Sequence, residues 1–226
     1  MFYRCLLAAG AATLLSTSAW AGGVYTMINI AGDTAASTEG LGSFTGVIMY
    51  DDTAKHLKIS LTNTSAPANG GFITGLVFNI LGDASATYQP IGGDTFQGVT
   101  NESAAPFGTF EFGAAIGGNF QGGGNPNTGV AAGDTRIFEF NVTGPDAGSL
   151  VASDFFSEYS SSDVASLSRK KKPSSDPQLF AVRFKGFQNG GSDKVPGTST
   201  VVPTPSASLA GLVGLGAMGL WRRRRR

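Results

Sequence analysis

Residues 56–62 constrain the fold more than any other stretch of this chain. Leu57, Ile59 and Leu61 alternate with His56, Lys58, Ser60 and Thr62. Successive side chains of a β-strand point to opposite faces, so this spacing gives one apolar and one polar face, whereas helical spacing would scatter both sets. Related runs recur along the chain. Residues 24–30 and 44–50 are β-rich and separated by a polar, glycine-containing stretch. Residues 72–81 place Leu76, Phe78 and Ile80 on one face after the turn cluster 63–71. Phe110 and Phe112 mark a further strand, Phe138, Phe140 and Val142 another, and Phe180, Val182 and Phe184 a late one. Strands at this spacing, without helical periodicity between them, predict an all-β fold, a two-sheet antiparallel β-sandwich. The expected core is Leu57, Ile59, Leu61, Leu76, Phe78, Ile80, Phe138, Phe140 and Phe184. The 33 glycines agree with a turn-rich protein, because glycine supplies the positive φ that tight turns need.

Both ends of the chain differ from this body. Residues 1–21 carry Arg4 in a short basic region, an apolar stretch from position 5 to 15, and the small-x-small pattern Ala19-Trp20-Ala21. This reads as a secretory signal peptide, with Ala19 and Ala21 marking the cleavage site. Cys5, the only cysteine, lies inside its apolar stretch, so the mature body has neither disulfides nor thiol chemistry. Residues 22–200 form the expected sandwich domain, and 201–226 a separate tail. Setting aside Arg4 and the five terminal arginines leaves ten Lys and Arg against sixteen Asp and Glu, a body charge near −6. An acidic body argues against nucleic acid as a partner, since that binding needs clustered positive charge.

The tail has three parts in order: Val202-Pro203-Thr204-Pro205, an uncharged segment at 207–221, and Arg222, Arg223, Arg224, Arg225 and Arg226. As a transmembrane helix the fifteen uncharged residues would span roughly 22 Å, short of a hydrocarbon core of about 30 Å. Trp221 stands where an interfacial aromatic belongs, and the arginines would hold the end on the cytoplasmic side, leaving the body outside. These residues resemble the PEP-CTERM sorting signal of Gram-negative bacterial surface proteins, with Thr204 where the commonest motif has Glu. The resemblance covers only the last 26 residues. It implies a precursor anchored in the inner membrane, an exosortase-type enzyme that cuts near the proline motif, and a final place at the cell surface or outside the cell. A plain anchor that is never cut is the competing reading.

The body resembles, more loosely, the β-rich domain that often precedes this signal. Leu61-Thr62-Asn63-Thr64-Ser65, Gly71-Phe72-Ile73-Thr74-Gly75, Ser153-Asp154-Phe155-Phe156 and Gly191-Ser192-Asp193-Lys194-Val195 carry that likeness. It implies export and a fold, and no chemistry.

Candidate chemistry in the body is sparse. His56 is the only histidine and falls on the polar face of its strand, as an exposed strand residue would. No nucleophile motif accompanies it, and a zinc site would want more His or Cys. Asp51, Asp52, Asp83, Asp94 and Asp134 sit near expected turns, where carboxylates bind Ca²⁺ in some proteins but more commonly hydrogen-bond the turn itself. Arg169-Lys170-Lys171-Lys172-Pro173 lies in a polar loop at 160–177, and is read either as a polyanion contact or as a solvated loop. The glycine-rich loop at 117–133 lacks the features of a phosphate-binding loop. A short helix is expected within 149–160, its aromatics closing one end of the sandwich. Two functions remain. One is a non-catalytic surface or matrix protein sorted through the tail, without a cofactor and with extracellular polysaccharide as a possible partner. The other is a carbohydrate-binding module or hydrolase on the same scaffold, against which stands the absence of tryptophan from 22–200.

Overall fold

The computed structural model describes residues 25–161 and 177–200. Two antiparallel sheets account for the fold. Eleven strands run in chain order as β1 (Tyr25–Gly32), β2 (Phe44–Asp51), β3 (His56–Asn63), β4 (Gly70–Phe78), β5 (Ser85–Tyr88), β6 (Phe96–Ser103), β7 (Thr109–Ile116), β8 (Thr135–Thr143), β9 (Phe180–Phe187), β10 (Ser192–Pro196) and β11 (Thr198–Thr200). The first sheet has the order β11-β1-β2-β3-β8-β5 and the second β10-β9-β4-β7-β6.

Alternation in β3 decides which residues the sheets enclose. Leu57, Ile59 and Leu61 are fully buried, as are the other six expected core residues. The sheets meet through aromatic contacts: Phe78 of β4 packs edge-on against Phe140 of β8 at 5.2 Å, and Phe44 of β2 lies 6.1 Å from Phe180 of β9. Such pairs add about 0.5–1.5 kcal/mol each beyond the area they bury. A second, smaller cluster covers the outer face of the five-stranded sheet, where Val77, Val99, Phe107, Phe110, Ala115 and Phe120 pack together. Part of this sheet is therefore buried on both faces, which explains why β4 reads as a nearly continuous apolar run.

Several expectations need refinement. β4 ends at Phe78; Ile80 beyond it stays buried, while Leu81 is exposed. Phe110 and Phe112 belong to different clusters despite their spacing, Phe112 packing against the main core. The ladder is irregular between them, where Asn101 takes a φ of 54° and the Glu111 N–H donates to Asn79 Oδ1 at 2.8 Å. The expected helix is a 3-10 turn at Ala152–Phe156, tied to β1 by the Ala152 N–H donating to Thr26 Oγ1 at 2.7 Å. Its Phe155 packs 4.8 Å from Tyr50 and 6.4 Å from Phe78, inside the main core. The 117–133 loop is stitched to β4 at Val130, which exchanges backbone hydrogen bonds with Ile73 at 2.9 and 3.0 Å.

Two junctions bring distant parts of the chain together. β11 pairs with β1, with Asn29 opposite Thr200, so the domain begins and ends on neighbouring strands of one sheet. Ser160 N–H donates to Gln178 O at 2.8 Å, and Gln178 N–H to Ser160 Oγ at 3.0 Å, so Ser160 and Gln178 are held side by side.

Candidate functional site

The margin where β5 and β6 face each other holds two adjoining clefts. The first, about 500 Å³, is lined by Thr87, Tyr88, Asp94, Phe96, Gln97 and Thr100 among others. Asp94 sits in the turn before β6, where its own N–H donates to Ile91 O at 2.9 Å and its Oδ1 accepts from the Phe96 N–H at 2.9 Å. Its Oδ2 accepts from the Tyr88 hydroxyl and pairs with Arg136 Nη2 of β8 at 2.6 Å. The Asp94 side chain is 1% exposed. The guanidinium lies 4.7 Å over the Phe96 ring and 5.4 Å over the Phe138 ring, in the range of cation–π attraction. Burial, and then the bond to Asp94, push the Tyr88 hydroxyl up to about 12, so it remains a proton donor at neutral pH. Both carboxylate oxygens are occupied. The cluster joins β5, the turn, β6 and β8 across the margin, and acts chemically as a fastener.

The second cleft, about 540 Å³, is lined by Asp83, Ser85, Thr100, Asn101, Glu111 and Phe112, with Thr100 shared between the two. Burial, and then repulsion from Glu158, raise the Glu111 carboxyl above its ordinary range. A raised carboxyl is what a general acid needs. The neighbouring Asp83 contributes its backbone, the N–H donating to Asp146 Oδ2 at 2.8 Å.

A third polar centre closes the opposite edge of the five-stranded sheet. Asp193 of β10 is 1% exposed, and its oxygens accept from Thr38 Oγ1 and from the N–H groups of Glu39, Leu41, Gly42 and Lys194 at 2.8–2.9 Å. The loop between β1 and β2 is thereby drawn along β10. Asn63 makes a comparable knot. Its Nδ2 donates to Gly71 O at 3.1 Å and Val130 O at 2.9 Å, and its Oδ1 accepts from the Ser65 N–H at 3.1 Å. The four scattered stretches of the body resemblance thus contain the buried fasteners Asn63, Phe155 and Asp193.

His56 lies on the outer face of the first sheet, with Nε2 3.6 Å from Glu139 Oε2; Lys58 Nζ is 3.2 Å from the other oxygen of Glu139. Asp51 Oδ1 accepts from the N–H groups of Thr53 at 3.0 Å and Ala54 at 2.8 Å, closing the β2–β3 turn, and Asp52 accepts from the Thr53 hydroxyl. Asp134 takes part through its backbone, which pairs with Asn63 and Ala131. The five turn aspartates are not brought together, and among the described residues no group of three or more His, Cys, Asp or Glu is placed to hold a metal ion. Ala19, Ala21, Val202, Pro203, Thr204, Pro205, Arg222 to Arg226, and Arg169 to Lys172 lie outside the described residues. Among the described residues no helix is long and apolar enough to cross a membrane.

Sequence reasoning missed Tyr88, Glu111 and Arg136. A signal for Arg136 exists, because it shares the parity of the buried Phe138, Phe140 and Val142 in β8 and is a cation on an apolar face. No family model, curated protein or solved structure matches the chain.

Proposed function

We propose that the protein is exported and sorted to the cell surface or the extracellular polysaccharide layer, where its β-sandwich acts without catalysis. In this reading residues 1–21 direct secretion, and the tail holds the precursor in the inner membrane until an exosortase-type enzyme acts at Val202, Pro203, Thr204 and Pro205. The observation that carries it is the three-part order of the tail: proline motif, uncharged segment, arginine cluster. Proline fixes φ and disfavours helix in the residue before it, so the motif suits an extended substrate at the membrane surface. The pairing of β11 with β1 supports the division of labour, since leader and tail both join the domain at one sheet edge. Replacing Arg222 to Arg226 with serine tests it. The account expects a precursor that fails to reach the surface; unchanged surface delivery would overturn it.

A carbohydrate-binding or hydrolytic role is favoured by one observation, the open 540 Å³ cleft with the raised Glu111 carboxyl and the nearby Asp83. Glu111→Gln separates the cases. Under the primary reading it leaves surface delivery and polysaccharide retention unchanged, while a hydrolase would lose its activity on an extracellular polysaccharide.

A further inference from the structure

Charge is divided unevenly along the body. Of the ten Lys and Arg in residues 22–200, seven fall between 169 and 194, with only Asp176 and Asp193 for company; residues 22–168 hold three cations against fourteen acids. Three of the seven, Arg183, Lys185 and Lys194, lie on the outer face of the five-stranded sheet. Arg183 and Lys185 are two apart on β9 and so share a face, and Lys194 of β10 is directly opposite Arg183. Like charges directly opposite each other in an antiparallel pair are destabilising.

Among the described residues none of the three has a carboxylate partner in direct contact. Asp193, the nearest acid in sequence, spends both oxygens on the 38–42 segment and on the Lys194 N–H. Arg183 is only 8% exposed, yet its one acceptor is Phe120 O, which Nη1 reaches, and its Nε is buried without a partner. Lys194 Nζ donates to Ala105 O at 2.6 Å, again a neutral acceptor. Burial lowers the proton affinity of all three, and the charge of Arg183 lowers that of both lysines further, with Asp193 opposing it more weakly at Lys194. A cation withdrawn from water without a counter-ion costs several kcal/mol, a cost that a bound anion would offset.

We propose that Arg183, Lys185 and Lys194 form a binding site for carboxylate groups of an acidic polysaccharide. The site rests on the reading of the protein as a component of an extracellular polysaccharide layer and gives that reading a ligand class. Phe120 O holds the guanidinium through Nη1, and the fork of a guanidinium is shaped for a planar carboxylate. Lys194 lies about 4.8 Å from Arg183 across the strand pair and Lys185 roughly 7 Å from it along β9, so the three cations form a corner with Arg183 at its apex. A polymer with a carboxylate on each sugar presents several anions to this group of three cations at once, which one small anion does not.

Calorimetric titration of the full-length protein with polygalacturonate tests the site, with dextran as the neutral polymer and inorganic phosphate as the free anion. Saturable binding to polygalacturonate alone, weakened by salt, is expected. Lys185→Gln with Lys194→Gln should weaken it by about tenfold or more, the equivalent of about 1.4 kcal/mol. Arg183→Gln should do the same, and the lysine pair keeps the test valid if that variant fails to fold. Replacing Arg169 to Lys172 with serine should leave most of the binding in place. Unchanged affinity in the lysine variant, equal binding of dextran, phosphate binding as tight as the polymer's, or loss of binding only in the 169–172 variant would each overturn the site. The C-terminus of the same preparations, read by mass spectrometry, reports the sorting reading independently of these outcomes.

Discussion

The Asp193 carboxylate accepts five hydrogen bonds although it is almost wholly buried. Burial alone would raise its proton affinity, but the donors from Gly42, Leu41, Glu39 and Thr38 outweigh it and hold the group below its ordinary 3.8. A carboxyl depressed in the folded state stabilises at pH values above its unfolded pKa, and that contribution is lost as pH falls through the folded value. Thermal stability should therefore drop on acidification below about pH 4, and Asp193→Asn should flatten that part of the profile. Asp193→Ala should cost about 2–4 kcal/mol, because the buried Gly42 N–H and three part-buried N–H groups lose a charged acceptor. A neutral effect in denaturant unfolding would mean that the 38–42 loop is held by something else. Arg136 poses the complementary case. Arg136→Ala leaves Asp94 buried without its cation and should destabilise by about 2–4 kcal/mol, discounted because the guanidinium is itself partly exposed. Asp94→Asn in the same background should recover part of the loss, and a double-mutant cycle with no coupling would contradict the pair.

At the scale of elements, legibility follows burial. Strands β1 to β4 and β7 to β9 carry apolar residues at every second position or in a continuous run, and their presence can be read from that spacing. β8 gives the sharpest test. Phe138 is fully buried and touches both Tyr88 and Phe96, so Phe138→Ala should cost about 3–5 kcal/mol, with near-neutral unfolding data as the contrary result. The edge strands β5, β6, β10 and β11 cannot be read in the same way. Ser85–Tyr88 and Thr198–Thr200 are short and largely polar, Phe96–Ser103 is interrupted by Gly98 and Asn101, and Ser192–Pro196 contains a buried aspartate. Neighbouring strands supply their hydrogen bonds, so their own side chains need not announce them. The same limit applies to the polar centres. Asp94 and Asp193 look like turn and loop residues, and their partners lie 42 and more than 150 positions away at Arg136 and in the 38–42 loop. The proposed sorting motif rests on the sequence alone, since its three parts are contiguous and need no tertiary context.

For the molecule as a whole, the proposed function divides the work between the sandwich and the tail. The domain is an acidic body with cations gathered late in its sequence, and its first and last strands lie side by side. Under the proposed function, cleavage at residue 21 and within residues 202–206 would fall outside both sheets, which run from Tyr25 to Thr200. The mature N-terminus should be at or near Gly22, and recovery of an intact Met1 from the membrane fraction would contradict secretion through a cleaved leader. Retention in an acidic polysaccharide layer would follow from the cationic face of β9 and β10. The central claim is that the tail is a sorting signal removed on delivery, and intact-mass analysis of the surface-exposed protein in its native host tests it most directly. The account predicts a C-terminus within residues 202–206; a mature protein that keeps Trp221 and the five arginines would show the tail to be a permanent anchor and contradict it.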